Sequence, residues 1–155
     1  PRYGNIIVAK TFSKAYSLAS ARVGYIIARP ELLSAVKRSV RPYHINMLSL
    51  LTAEIVYGMK TEFKPVIEQI VRERSRVADQ LAQKKEIRVF PSESNFILIK
   101  LPEAGKLVAH LEAKSIAVRW FGSDPGLKDC IRVSIGRPEE NDAFLSAVDD
   151  CFASK

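Results

Sequence analysis

The sequence is poor in the residues that staple or metallate a small protein. Among 155 residues there are two cysteines, Cys130 and Cys151, and two histidines, His44 and His110. Neither cysteine stands in a CxxC pair or beside a histidine, so no disulfide framework and no metal site is expected, and both read as reduced packing residues. No apolar run approaches the roughly 20 residues of a membrane span, and the first residues lack the charged, apolar and small-residue sections of a secretion signal. The expectation is a cytoplasmic chain with no membrane partner. Low-complexity stretches and internal repeats are also missing.

What is present fits a globular domain: 47% hydrophobic and 26% charged residues, enough to build a core. The net charge of +7 would attract phosphates of any kind, which brings nucleic acid into consideration. The basic residues are nevertheless spread along the chain. The densest run, Arg72-Glu73-Arg74-Ser75-Arg76, falls on a helical pattern and reads as a solvated face, so a basic nucleic-acid-binding module is kept only as the alternative of another class. The chain opens with Pro1 rather than Met, and the expectation is a fragment.

Two short β-branched runs, Asn5 to Ala9 and Val23 to Ala28, suit strands covered on both faces. Pro30 opens a helix in the first-turn position, where its missing N–H costs nothing; Leu32, Leu33, Val36 and Val40 mark its apolar face, and Pro42 ends it. Asn46 caps a further helix that runs through Tyr57 and closes at Gly58. From Thr61 to about Lys84 apolar residues recur every three or four positions, which predicts a long connecting helix. Shorter elements follow: strands near Ile87–Phe90, Asn95–Leu101, Ile116–Phe121 and Cys130–Ile135, a helix from about Gly105 to Lys114, and a last helix opening at Pro138-Glu139-Glu140. Gly122-Ser123-Asp124-Pro125-Gly126 is the clearest loop.

Between the first two strands lies Thr11-x-Ser13-Lys14-Ala15-x-x-Leu18-Ala19-x-x-Arg22-x-Gly24-Tyr25. It joins a primary amine to two hydroxyls and a guanidinium. An aldehyde is attacked by an amine that can lose its proton, and a phosphate is held by hydroxyl donors and a forked cation. Gly24 suits close backbone approach or a bulge. The stretch resembles the Schiff-base lysine motif of fold-type I aminotransferases, most nearly that of histidinol-phosphate aminotransferases, although the family usually has Gly-Leu where Ser20-Ala21 stand. The likeness continues through Phe90-Pro91-Ser92-Glu93-Ser94-Asn95-Phe96, Ile116-Ala117-Val118-Arg119 and Cys130-Ile131-Arg132-Val133-Ser134-Ile135-Gly136.

The resemblance implies an α/β fold, the C-terminal portion of the transferase fold that uses pyridoxal 5'-phosphate. Residues 1–60 would be the remnant of the large cofactor domain, 61–85 the connecting helix and 86–155 the small α+β domain. It implies Lys14 as the catalytic lysine, with Thr11, Ser13 and Arg22 holding the cofactor phosphate. Arg119 and Arg132 would bind the anionic end of the substrate. A charge inside an apolar strand already argues for a purpose, because burying it unpaired is expensive. The implied parent enzyme is a homodimer that transfers an amino group between histidinol phosphate and 2-oxoglutarate in histidine biosynthesis; another aminotransferase or a threonine-phosphate-type decarboxylase on the same fold is the alternative. The aspartate, tyrosines and asparagine that complete such a site would lie outside this chain, which alone is expected to have little activity. Arg137 replaces the family's threonine and reads as a surface feature, His44 and His110 as structural, and Asn46 as a helix cap before anything else.

Overall fold

The computed structural model describes residues 3–122 and 124–153, so Pro1 and Ser123 of the readings above lie outside the described residues. Two compact units divide the chain, Pro1–Val66 and Ile67–Lys155.

In the first unit β1 (Val8–Thr11) pairs antiparallel with β2 (Gly24–Ile27), in the register Thr11 opposite Gly24 and Val8 opposite Ile27. β1 starts three residues later than its apolar run, and its last residue is Thr11. The hydroxyl-rich connection therefore begins on the strand itself. A small core of Phe12, Val23 and Ala53 supports this hairpin. The expectation of strands covered on both faces is corrected within this chain: Val8, Tyr25, Ile26 and Ile27 are all exposed, as are Ile6 and Ile7 before them. A two-stranded ribbon with one small core beneath it has too few neighbours to cover such residues.

Helix α1 (Pro30–Ser39) has its proline in the first turn, as expected. Helix α2 (Met47–Gly58) is capped by Asn46, whose Oδ1 accepts the Ser49 amide at 2.9 Å. Gly58 is the last helical residue rather than the one beyond it, and Met59 takes the cap. Helix α3 (Lys60–Ala82) begins one residue before Thr61 and stops two before Lys84. It carries Pro65 inside its second turn, where the ring removes the amide that would bond the Thr61 carbonyl.

The second unit is a four-stranded antiparallel sheet in the order β3-β4-β6-β5, formed by β3 (Arg88–Phe90), β4 (Phe96–Lys100), β5 (Arg119–Trp120) and β6 (Cys130–Ser134). The strand expected over Ile116–Phe121 shortens to Arg119–Trp120, because Ile116 bonds back to Leu111 at the end of the preceding helix and not across the sheet. Period-two alternation sends Val89, Ile97, Ile99, Ile131 and Val133 to one face. There they meet Val77 and Leu81 of α3, Leu107, Val108 and Leu111 of α4 (Ala104–Ala113), and Phe144, Leu145 and Val148 of α5 (Pro138–Ala153). Cys130 is buried and Cys151 packs against this core, both as free thiols.

A polar clamp fixes the turn after β6. Asn141, 4% exposed, accepts the Gly136 amide at 3.0 Å and donates to the Gly136 carbonyl at 3.1 Å and to Glu73 at 2.8 Å. Glu73 is held in turn by Arg76, which also pairs with Asp142. The run Arg72 to Arg76 is thus not simply a solvated face: the Arg74 side chain is 11% exposed and donates to Ser94 and Glu93. Hydrogen bonds from Arg76 and then Asn141 hold the Glu73 carboxyl below its ordinary 4.5. A depressed carboxylate stabilises the fold above that value, and the contribution is lost as pH falls through the lower folded pKa. Thermal stability is therefore expected to drop on acidification below 4.5, and Glu73→Gln to flatten that dependence. Parallel pH profiles for the two proteins would refute the assignment.

Candidate functional site

The loop between β1 and β2 is built from its aromatic floor upward. Phe12 is buried, 5.2 Å from the Tyr16 ring, 5.8 Å from Tyr25 and 6.3 Å from Tyr57. Its amide donates to the Val23 carbonyl and its own carbonyl accepts the Leu18 amide, so the loop closes on itself around this one side chain. Burying Phe12 turns its two neighbours outward. Thr11 Oγ1 donates to Ser13 Oγ at 2.9 Å and accepts the Ser13 amide at 3.0 Å, which sets both hydroxyls on one turn. Lys14 follows, exposed, its carbonyl bound by the Ser17 amide.

Arg22 ends the loop in the left-handed region at φ 56°, just past a single 3-10 turn at Ala19–Ala21. One guanidinium nitrogen donates to the Ala19 carbonyl at 2.9 Å, which steadies the fork and leaves its other donors for a ligand. Gly24 is fixed by close approach: a Cβ there would lie 2.6 Å from the Lys10 carbonyl oxygen. That decides between the two readings of this glycine, since the strands are regularly paired at this position and no bulge intervenes. One short loop thus presents an exposed amine, two hydroxyls and a partly free guanidinium. This donor set fits a phosphorylated aldehyde: the hydroxyls and the fork suit the phosphate, the amine the carbonyl carbon.

Arg119 and Arg132 belong to the other unit, where the structure brings them together. They are register partners across β5 and β6. Both are exposed on the face of the sheet opposite the helices, so the reading of an arginine buried inside an apolar strand is corrected to an arginine on an open face. Alternation is the reason: Ile131 and Val133, on either side of Arg132, point into the core. The guanidinium of Arg132 lies over the Phe96 ring at 5.1 Å, and that of Arg119 is 5.9 Å from the Phe121 ring. Neither forms an ion pair among the described residues. Like charges placed directly opposite repel, and an anion between them relieves the repulsion.

Sequence reasoning missed Phe12 as the anchor of the lysine loop and Asn141 as the clamp of the turn after β6. Phe12 had a local signal, an aromatic between two hydroxyl residues beside a strand. The bond from Asn141 to Glu73 had none, since the two lie 68 residues apart. Arg137 is exposed and pairs with Glu140, in keeping with a surface role. His44 Nδ1 lies 2.8 Å from the Arg41 carbonyl oxygen in the turn before α2. His110 is on α4, its buried Nε2 without a hydrogen-bond partner among the described residues. No group of three or more metal-ligating side chains occurs among the described residues. No helix among them is long and apolar enough to cross a membrane.

The architecture is that of enzymes dependent on pyridoxal phosphate. Histidinol-phosphate aminotransferase from Sinorhizobium meliloti, solved with pyridoxal-5'-phosphate, superposes with a TM-score of 0.76 at 28% identity, over 97% of this chain and 42% of that one. L-threonine-O-3-phosphate decarboxylase from Porphyromonas gingivalis superposes with a TM-score of 0.81 at 26% identity, over 98% of this chain and 48% of that one. Residues 1–148 match the family of class I and II aminotransferases, and the chain belongs to that family. Histidinol-phosphate aminotransferase from Ruminiclostridium cellulolyticum is 41% identical over 143 residues, 92% of this chain and 40% of the relative. The chain thus spans about 40% of the length of the curated relatives it matches.

Proposed function

We propose that this chain is part of a longer pyridoxal-phosphate-dependent enzyme that transfers an amino group between histidinol phosphate and 2-oxoglutarate, a step of histidine biosynthesis. The observation that carries the substrate reading is the facing pair Arg119 and Arg132, two unneutralised guanidinium groups on one open sheet face. A planar donor fork accepts a carboxylate or a phosphate, so one pair can serve glutamate in one half-reaction and the phosphate ester in the other. The similarity to histidinol-phosphate aminotransferases supports the same reading.

When bound, pyridoxal phosphate supplies the electron sink for the carbon that gains or loses the amino group. Thr11, Ser13 and Arg22 hold its phosphate. Lys14 would hold it through Nζ and would serve as the proton carrier at the substrate carbon, its four-carbon stem giving the reach. The 155-residue chain alone has little turnover on this reading, because the partners of the cofactor ring are supplied by the remainder of the polypeptide. Exposed apolar residues, among them Val8 on β1, Ile27 on β2 and Leu48 and Ile55 on α2, are covered on this reading by that remainder or by a second subunit of a homodimer; the cytoplasm remains its proposed location.

The decarboxylase from Porphyromonas gingivalis keeps a second reading open, since it too acts on a phosphorylated compound on this fold. Full-length enzyme given histidinol phosphate, 2-oxoglutarate and cofactor is expected to form glutamate without releasing carbon dioxide. Carbon dioxide release from threonine phosphate, with no glutamate formed, would replace the first reading by the second.

A further inference from the structure

The arginine pair occupies only one side of the open sheet face. On β3 and β4 a second like-charged pair faces outward, Arg88 directly opposite Lys100. Both are exposed, and the Arg88 guanidinium lies over the Phe90 ring at 4.7 Å. The four strands carry no carboxylate at all. Glu86 and Asp129 flank them, yet among the described residues neither pairs with Arg88, Lys100, Arg119 or Arg132. Strand β4 lies between β3 and β6: Lys100 faces Arg88 on one side and Cys130 on the other, two residues from Arg132, so at about 4.8 Å per strand and about 3.4 Å per residue the Arg88 and Arg132 backbones stand roughly 12 Å apart.

Two opposed like-charge pairs on one face cost stability and are not compensated among the described residues. Arginine over phenylalanine keeps the cation on the face instead of in open solvent. We propose that Arg88 and Lys100 form a second anion subsite beside the Arg119–Arg132 pair, taking a small phosphate monoester or inorganic phosphate. It extends the substrate reading to a further pair of residues and rests on that reading only for the role of Arg119 and Arg132. An anion seated at Arg88 and Lys100 lowers the positive potential at the first pair, so the two occupancies oppose each other.

The test is a titration of the whole chain with inorganic phosphate at constant ionic strength, with chloride as control, followed by the backbone amide and arginine Nε–H resonances. Residues 88 and 100 are expected to saturate along one curve and residues 119 and 132 along another. The variant R88Q/K100Q should weaken the curve at 88 and 100 by about tenfold or more and leave the curve at 119 and 132 unchanged or slightly weaker, because it removes two positive charges from the face, with an unchanged amide spectrum elsewhere as the check on folding. Signals at 88 and 100 that do not saturate, or that follow chloride equally well, would overturn the proposal. Silence at 119 and 132 with saturation at 88 and 100 would instead remove the substrate reading and leave the new subsite standing.

Discussion

In the full-length polypeptide, Lys14→Ala is expected to end covalent cofactor attachment and to lower amino transfer by at least about a thousandfold. The methyl group left behind can neither attack an aldehyde nor carry a proton. Thr11, Ser13 and Arg22 remain on the same closed loop, because that loop is organised by Phe12 and by backbone bonds rather than by the lysine. The cofactor should therefore still bind, without a covalent link. Borohydride treatment followed by mass analysis of the peptide around position 14 reads the attachment directly. Lys14→Arg keeps the charge but not the nucleophile, so it should fail in the same way. Cofactor fixed covalently to either variant would remove Lys14 from the mechanism.

The second large effect concerns the arginine pair. Hydrogen bonds to a charged group contribute about 1.5–3 kcal/mol, so Arg132→Gln is expected to lower kcat/KM for the phosphorylated substrate by roughly 10- to 150-fold. The loss should fall mainly on KM, because in the proposed role these groups hold the anionic end and are not at the reacting carbon. Arg119→Gln should act alike, and the double variant should lose less than the product of the two, since both forks serve one anion. Stability separates this role from a structural one. Removing either member of a facing like-charge pair should leave the melting temperature unchanged or slightly raised. A clear fall in melting temperature with KM intact would identify a structural arginine instead.

Local chemistry was legible wherever a few adjacent residues fix the geometry. Pro30 in a first turn, Asn46 accepting the amide three residues on, and the acids that open α5 are each stated by their own neighbourhood. The lysine motif belongs to this class too, because Thr11, Ser13, Lys14 and Arg22 lie within one short connection. Strand boundaries were less legible. Apolar character marks Ile6 and Ile7, yet the pairing that defines β1 is set by Lys10 and Thr11 meeting Tyr25 and Gly24.

By itself, then, the sequence determined the α/β class, the order of the elements and the identity of the loop bearing an amine beside two hydroxyls and a guanidinium. Its alternation even contains the two faces of the second sheet. Tertiary structure alone decided which residues stand opposite each other: Arg119 with Arg132, Arg88 with Lys100, and Asn141 with Glu73. Register and long-range hydrogen bonds join segments many residues apart, and no local propensity encodes them. The same is true of Gly24, whose need for a bare Cα follows from the Lys10 carbonyl on the neighbouring strand.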